Sequence, residues 1–135
     1  MKTNWAGEKV KVRVQTDNRE YTAGEQVKLS IDVLNPSSNS IRLDFNSTQR
    51  YDFIILKDKE EVWRWSSDKV FAMALGSLVL NPYEERSYTE VFETAGTAPG
   101  NYDVAGIITS QPRLEATCRL TIKPHQREKP NDELL

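Results

Sequence analysis

One cysteine and one histidine in 135 residues remove most catalytic chemistry at the outset. A lone Cys118 forms no intramolecular disulfide, so packing must hold the fold, as suits a reducing compartment. His125 lies in a polar terminal stretch, where a Ser–His–Asp arrangement built on it is not expected. No Cys or His spacing makes a zinc site, and no twelve-residue calcium loop with its glycine is present, so neither a metal nor a cofactor is expected. Charge of neither sign prevails: 18 Lys and Arg against 20 Asp and Glu leave a net charge of −2. That balance gives no long-range field for nucleic acid or anionic lipid, and neither is expected as a partner. No run approaches the ~18 apolar residues that cross a bilayer, so membrane insertion is not expected. The start, Met1-Lys2-Thr3-Asn4-Trp5-Ala6-Gly7-Glu8, lacks the hydrophobic region of a signal peptide. A cytoplasmic protein is the expectation; the alternative is a cell-surface or secreted protein whose leader has been removed.

What is present is period-two alternation, the mark of strands with one face on a core and one in water. Val10, Val12 and Val14 alternate with Lys9, Lys11 and Arg13, a charged outer face that suits an edge strand. Val27, Leu29, Ile31 and Val33 make a second strand, closed by the polar turn Asn35-Pro36-Ser37-Ser38-Asn39-Ser40. Ile41, Leu43 and Phe45 make a third. Tyr51 to Leu56 makes a fourth with both faces apolar, which predicts a central or doubly covered position. Asp58-Lys59-Glu60-Glu61 turns the chain into a short aromatic strand ending at Trp65, a hairpin. Further strands are predicted over Ser77 to Leu80 and Arg86 to Glu93, followed by a last hairpin carrying Tyr102, Val104, Ile108 and then Leu114, Ala116, Cys118, Leu120 and Ile122.

Between them, Asp68 to Gly76 breaks the alternation. Val70 and Ala74, and Phe71 and Leu75, are four apart, with Asp68 and Gly76 as candidate caps, which predicts a helical turn or two. About nine short strands with Gly and Pro in their turns predict an all-β fold, an antiparallel sandwich, because two half-apolar sheets bury each other face to face. Residues 1–123 are expected to form the domain and 124–135 a disordered charged tail.

The segments Tyr21-Thr22-Ala23-Gly24-Glu25, Val33-Leu34-Asn35-Pro36-Ser37, Tyr51-Asp52-Phe53, Trp63-Arg64-Trp65-Ser66 and Pro99-Gly100-Asn101-Tyr102 carry a resemblance by their order and spacing. Over about residues 20 to 110 the chain resembles the intracellular proteinase inhibitor family, the BsuPI-like domain of Bacillus and related bacteria. The resemblance implies an immunoglobulin-like sandwich, no catalysis, and a subtilisin-type serine proteinase as partner. It names that activity without locating it, since the matching residues read as fold determinants. The alternative is an immunoglobulin-like interaction or accessory module of a cell-envelope protein with no inhibitory activity. Nothing in the sequence fixes an oligomeric state.

Two groups are candidates for protein binding. Trp63 and Trp65 share one strand face and Val62 and Arg64 the other. Either the tryptophans pack inward and Arg64 faces solvent, or they lie outside as an interface anchor. In Lys69-Val70-Phe71-Ala72-Met73-Ala74-Leu75-Gly76, Phe71, Met73 or Leu75 can fill an apolar protease pocket if the backbone is extended. The helical spacing favours a plug over one end of the sandwich instead. Of the remaining features, Cys118 is in phase with inward residues and reads as a core thiol. Asp17-Asn18-Arg19-Glu20 reads as a solvated turn, and Asn46-Ser47-Thr48 as a glycosylation motif without a secretory setting.

Overall fold

The alternating segments form ten strands in a computed structural model that describes residues 4–125. They are β1 Lys11–Thr16, β2 Glu20–Thr22, β3 Gln26–Leu34, β4 Ile41–Phe45, β5 Tyr51–Lys57, β6 Glu60–Arg64, β7 Gly76–Leu80, β8 Glu85–Glu93, β9 Gly100–Ile108 and β10 Leu114–Lys123. One sheet has the order β1-β3-β8, a second β2-β10-β9-β5-β6, and β4 pairs with β7 in a two-stranded sheet. Inward valines, leucines and isoleucines of β1, β3, β9 and β10 meet Phe45, Phe53 and Leu80 in one shared core. This is an all-β sandwich, and β1 takes the expected edge position. β5 lies between β9 and β6, and its outer face carries a second small core of Ile54, Ala105 and Ile107 with Leu56 packed against it. The double apolar face of this strand is thereby explained.

The two large sheets approach closely at Gly106 of β9. A Cβ there would meet Val14 at 2.8 Å and Ile31 at 2.9 Å, so only glycine lets β9 lie against β1 and β3. Tyr102, near the start of β9, donates its hydroxyl to the Ala98 carbonyl four residues upstream. That bond is the tyrosine corner of immunoglobulin-like sandwiches, and it gives the Pro99-Gly100-Asn101-Tyr102 segment its structural role.

Two local features differ from the sequence reading. Tyr21 and Thr22, to which the alternation assigns no strand, belong to β2, which pairs in parallel with Thr121 to Lys123 of β10 in an otherwise antiparallel fold. Three residues with one inward side chain are too few to show a period. The expected helix over Asp68 to Gly76 is also absent: a 3-10 turn occupies Trp65–Asp68, and residues 69–75 are neither helix nor strand. A nine-residue helix is marginal unless its apolar face docks, and Val70, Met73 and Leu75 find nothing to dock on. Of the expected charged tail, residues 126–135 lie outside the described residues.

Candidate functional site

The site grows from the β5–β6 hairpin. Asp58 and Lys59 take positive φ values of 51° and 69°, the twist that a two-residue hairpin turn needs, and return the chain along β5. Trp63 then packs its ring on Phe92 of β8 at 4.9 Å between centroids. Trp65 stacks on Tyr51 of β5 at 4.8 Å, and Tyr51 stacks in turn on Tyr88 of β8 at 4.7 Å. Both tryptophans are half-buried against the core, so the inward alternative holds and they are scaffold before they are surface. Trp63 thus bridges edge strands β6 and β8, which belong to different sheets and share no backbone ladder, and Trp65 joins them through Tyr51. The Tyr51 hydroxyl donates to Glu90 of β8, and burial together with that carboxylate raises the pKa of the phenol.

Arg64 is not free in solvent as the inward alternative implied. It is half-buried, with Nη1 3.3 Å from the Asp52 carboxylate and Nη2 2.7 Å from Glu61. The bond to Arg64 holds Glu61 below the ordinary carboxylate range. Asp52 is buried in β5 and accepts further bonds from the Phe53 and Ser66 amides, at 2.9 and 3.1 Å, and from the Ser66 hydroxyl. An unpaired carboxylate at that depth would be costly, so the chain is drawn into the 3-10 turn at the residues that satisfy it. The turn therefore forms at Trp65 and not at Asp68.

Past the turn the chain runs out along the surface. Lys69 is extended, with φ −115° and ψ 155°, and its ammonium lies 4.9 Å from the Trp65 ring centre. Phe71 leans on Trp65 at 6.1 Å and is half-buried. Ala72 accepts a 2.9 Å bond from the Thr48 amide and donates a 3.1 Å bond to Thr48 Oγ1. Met73 and Leu75 stand 86% and 87% exposed, and Val70 98%. At Gly76 the chain enters β7 and pairs with β4. The five candidate residues thus divide: Trp63, Trp65 and Phe71 are anchors, while Met73 and Leu75 are presented to solvent. Thr48, read only as part of a glycosylation motif, is the clamp on the loop, and no periodicity in the sequence reveals it.

The remaining candidates are accounted for by packing. Cys118 lies against the core on β10, opposite Val104 of β9, and burial pushes its thiol up to about 11. Asp17 is occupied by the Tyr21 hydroxyl and the Lys28 amide. Among the described residues no group of three or more His, Cys, Asp or Glu is placed to hold a metal, and no helix is long and apolar enough to cross a membrane.

The sequence model of BsuPI, described as intracellular proteinase inhibitor, matches residues 14–113. The chain belongs to this family. Solved structures agree on the fold. The sporulation control protein Spo0M of Bacillus subtilis is 19% identical with a TM-score of 0.54, and the match covers 89% of this chain and 51% of Spo0M. The chain therefore spans about half the length of that relative. A CARDB domain from Pyrococcus furiosus, solved in complex with di-metal ions, is 11% identical with a TM-score of 0.53, covering 87% of this chain and 94% of that one. The alkylpurine DNA glycosylase AlkC of Pseudomonas fluorescens is 15% identical with a TM-score of 0.51, covering 87% of this chain and 31% of that enzyme. A search of curated proteins gives no significant match. Proteins of such different kinds sharing the fold leave function to the site.

Proposed function

We propose that the protein is a non-catalytic inhibitor that binds a subtilisin-type serine proteinase through the loop of residues 69–75, with the sandwich of residues 1–123 as its acting domain and the cytoplasm as its place of work. One observation carries this reading: the loop projects three large apolar side chains into solvent while being fixed to the body at Phe71 and Ala72. Exposed apolar residues are ordinary when scattered, but three within six residues on a tethered segment form a patch with a purpose. Rigid presentation matters because ordering a floppy loop on binding costs about 0.5–1.5 kcal/mol per side chain immobilised. Small secreted inhibitors obtain that rigidity from disulfides; here a buried carboxylate, an aromatic stack and a threonine clamp supply it. Family membership supports a protease as the partner.

The test is a titration of the purified protein against intracellular subtilisin-type proteases, following residual activity and chain integrity together. Stoichiometric loss of activity with an intact or slowly cut inhibitor is expected. Full activity against several such proteases, with the inhibitor folded, would favour the accessory-module reading of the family.

A further inference from the structure

We infer that Met73 is the pocket-filling residue and that Met73–Ala74 is the bond the protease addresses; this rests on the inhibitor reading above and fixes its register. In an extended chain the backbone N–H and C=O of one residue point to the same side, and those of its neighbours to the other. Ala72 turns both groups inward to Thr48. Its neighbours Phe71 and Met73 have no intramolecular backbone partner among the described residues, which leaves their groups open to a second chain.

A substrate-like ligand pairs with a protease by adding a strand, with alternate residues bonding to the enzyme. The pair available for this is Phe71 and Met73, with Ala72 between them held by the inhibitor itself. Of the two side chains, Phe71 is committed to Trp65 and Met73 is free. Met73 is unbranched and flexible enough to enter an apolar pocket. Ala74 comes next, a small residue beside the reacting carbonyl, and Leu75 lies beyond it. Centring the addressed bond on Leu75 would require Met73 and Leu75 to pair with the enzyme, and among the described residues no clamp holds Ala74 as Thr48 holds Ala72.

The same anchors determine the outcome of attack. The protease serine Oγ adds to the Met73 carbonyl carbon as its proton passes to the protease histidine. The Met73–Ala74 C–N bond breaks, the histidine returns that proton to the Ala74 nitrogen, and an acyl-enzyme remains. Hydrolysis by water gives a Met73 carboxylate and a free serine. In an ordinary substrate the amine product diffuses away. In this chain Ala72 on one side is tied to Thr48, and Gly76 on the other is tied to β4. The amine therefore stays close to the acyl carbon at a high effective concentration, so resealing competes with water. Slow, incomplete cutting is the expected behaviour.

The experiment uses the full chain, the variant M73K and the control T117K, which places a lysine at an exposed position of β10 outside the loop, each confirmed folded by its thermal midpoint, against a subtilisin-type protease and trypsin, with any cut mapped by mass spectrometry. The full chain should inhibit the subtilisin-type enzyme and be nicked only between Met73 and Ala74. A lysine placed in an apolar pocket should weaken that inhibition by about a hundredfold, since burying an unpaired charge is costly. M73K should in return inhibit trypsin, whose pocket takes lysine, while T117K should change neither constant more than about threefold. Inhibition by the full chain with the nick elsewhere, or with M73K unaltered, overturns the register and leaves the inhibitor reading standing. No inhibition by the full chain and none of trypsin by M73K overturns both. Trypsin inhibition by M73K with an inert parent supports the register and overturns the subtilisin-type partner.

Discussion

The Asp52 carboxylate receives both the amide and the hydroxyl of Ser66, fourteen residues further along the chain. This contact fixes where the hairpin ends and where the loop begins. Replacing Asp52 with Ala leaves the Ser66 and Phe53 amides without their acceptor and Arg64 with Glu61 alone, and it should cost about 2–4 kcal/mol. Asp52→Asn, which keeps the shape and one acceptor, should cost less. Urea unfolding of the two variants measures the difference; equal costs would show that the retained acceptor contributes nothing and that the carboxylate charge is what holds the turn.

Thr48 should govern the loop without governing the fold. Thr48→Val removes the Oγ1 acceptor of the Ala72 amide and keeps the branched shape, whereas Thr48→Ser restores the oxygen. The valine variant is expected to be cut in the 69–75 loop several-fold faster by a broad-specificity protease, with its stability within about 0.5–1.5 kcal/mol of the parent, the worth of one hydrogen bond. Serine should return the cutting rate to that of the parent. Identical rates in all three proteins would mean that the clamp plays no part.

Trp65 links Phe71 of the loop to Tyr51 and thence to Tyr88. Its truncation to Ala should cost about 3–5 kcal/mol and free Phe71 together with the loop. Trp65→Phe keeps a ring in place and should retain most of the stability. Thermal unfolding and amide exchange across residues 69–75 report the two effects separately. Unchanged exchange in the loop of the alanine variant would show that Phe71 is held by something else.

The strands were legible because almost every one alternates over at least four residues, and alternation survives as long as one face is buried. β2 escaped because only Tyr21 points inward and its parallel partner lies about a hundred residues away in β10. The i, i+4 spacing of Val70 with Ala74 and of Phe71 with Leu75 indicated helix where none forms. Such spacing carries meaning only when the shared face is buried, and here Val70 and Leu75 stand exposed while Phe71 alone packs, on Trp65. Met73 and Leu75 could be named from the sequence, but Thr48 and Asp52 could not be connected to them. Each acts across a contact made only by the finished fold.

Gly106→Ala should be among the most damaging small substitutions in the protein. The added methyl group overlaps Val14 and Ile31, and the cost of such overpacking is about 1–3 kcal/mol. A paired Ile31→Ala change removes the Cγ1 atom that the methyl group meets and should return part of that loss, which a double-mutant cycle measures. Full additivity of the two changes would exclude the contact as the cause.

Alkaline conditions should weaken the fold through its tyrosines and leave Cys118 quiet. Burial and the Asp17 bond raise the Tyr21 phenol from 10.0 to about 12. The folded chain therefore holds a proton that the unfolded chain releases above pH 10, and stability falls as the pH rises from 10 through 12. The Cys118 thiol, raised from 9.0 to about 11, stays protonated at about pH 8, so its alkylation should be slow until denaturant is added. Unfolding midpoints across the alkaline range and an iodoacetamide time course check the two expectations. A flat midpoint, or prompt alkylation of the folded chain, would contradict them.

The two sheets meet in two ways. At Gly106 of β9 they come close enough to exclude a side chain, whereas Trp63 on Phe92 and Tyr51 on Tyr88 place rings between β5–β6 and β8. The loop leaves the body at Trp65, which stacks on Tyr51, so a change of ring in this stack is felt at the root of the loop as well as between the sheets.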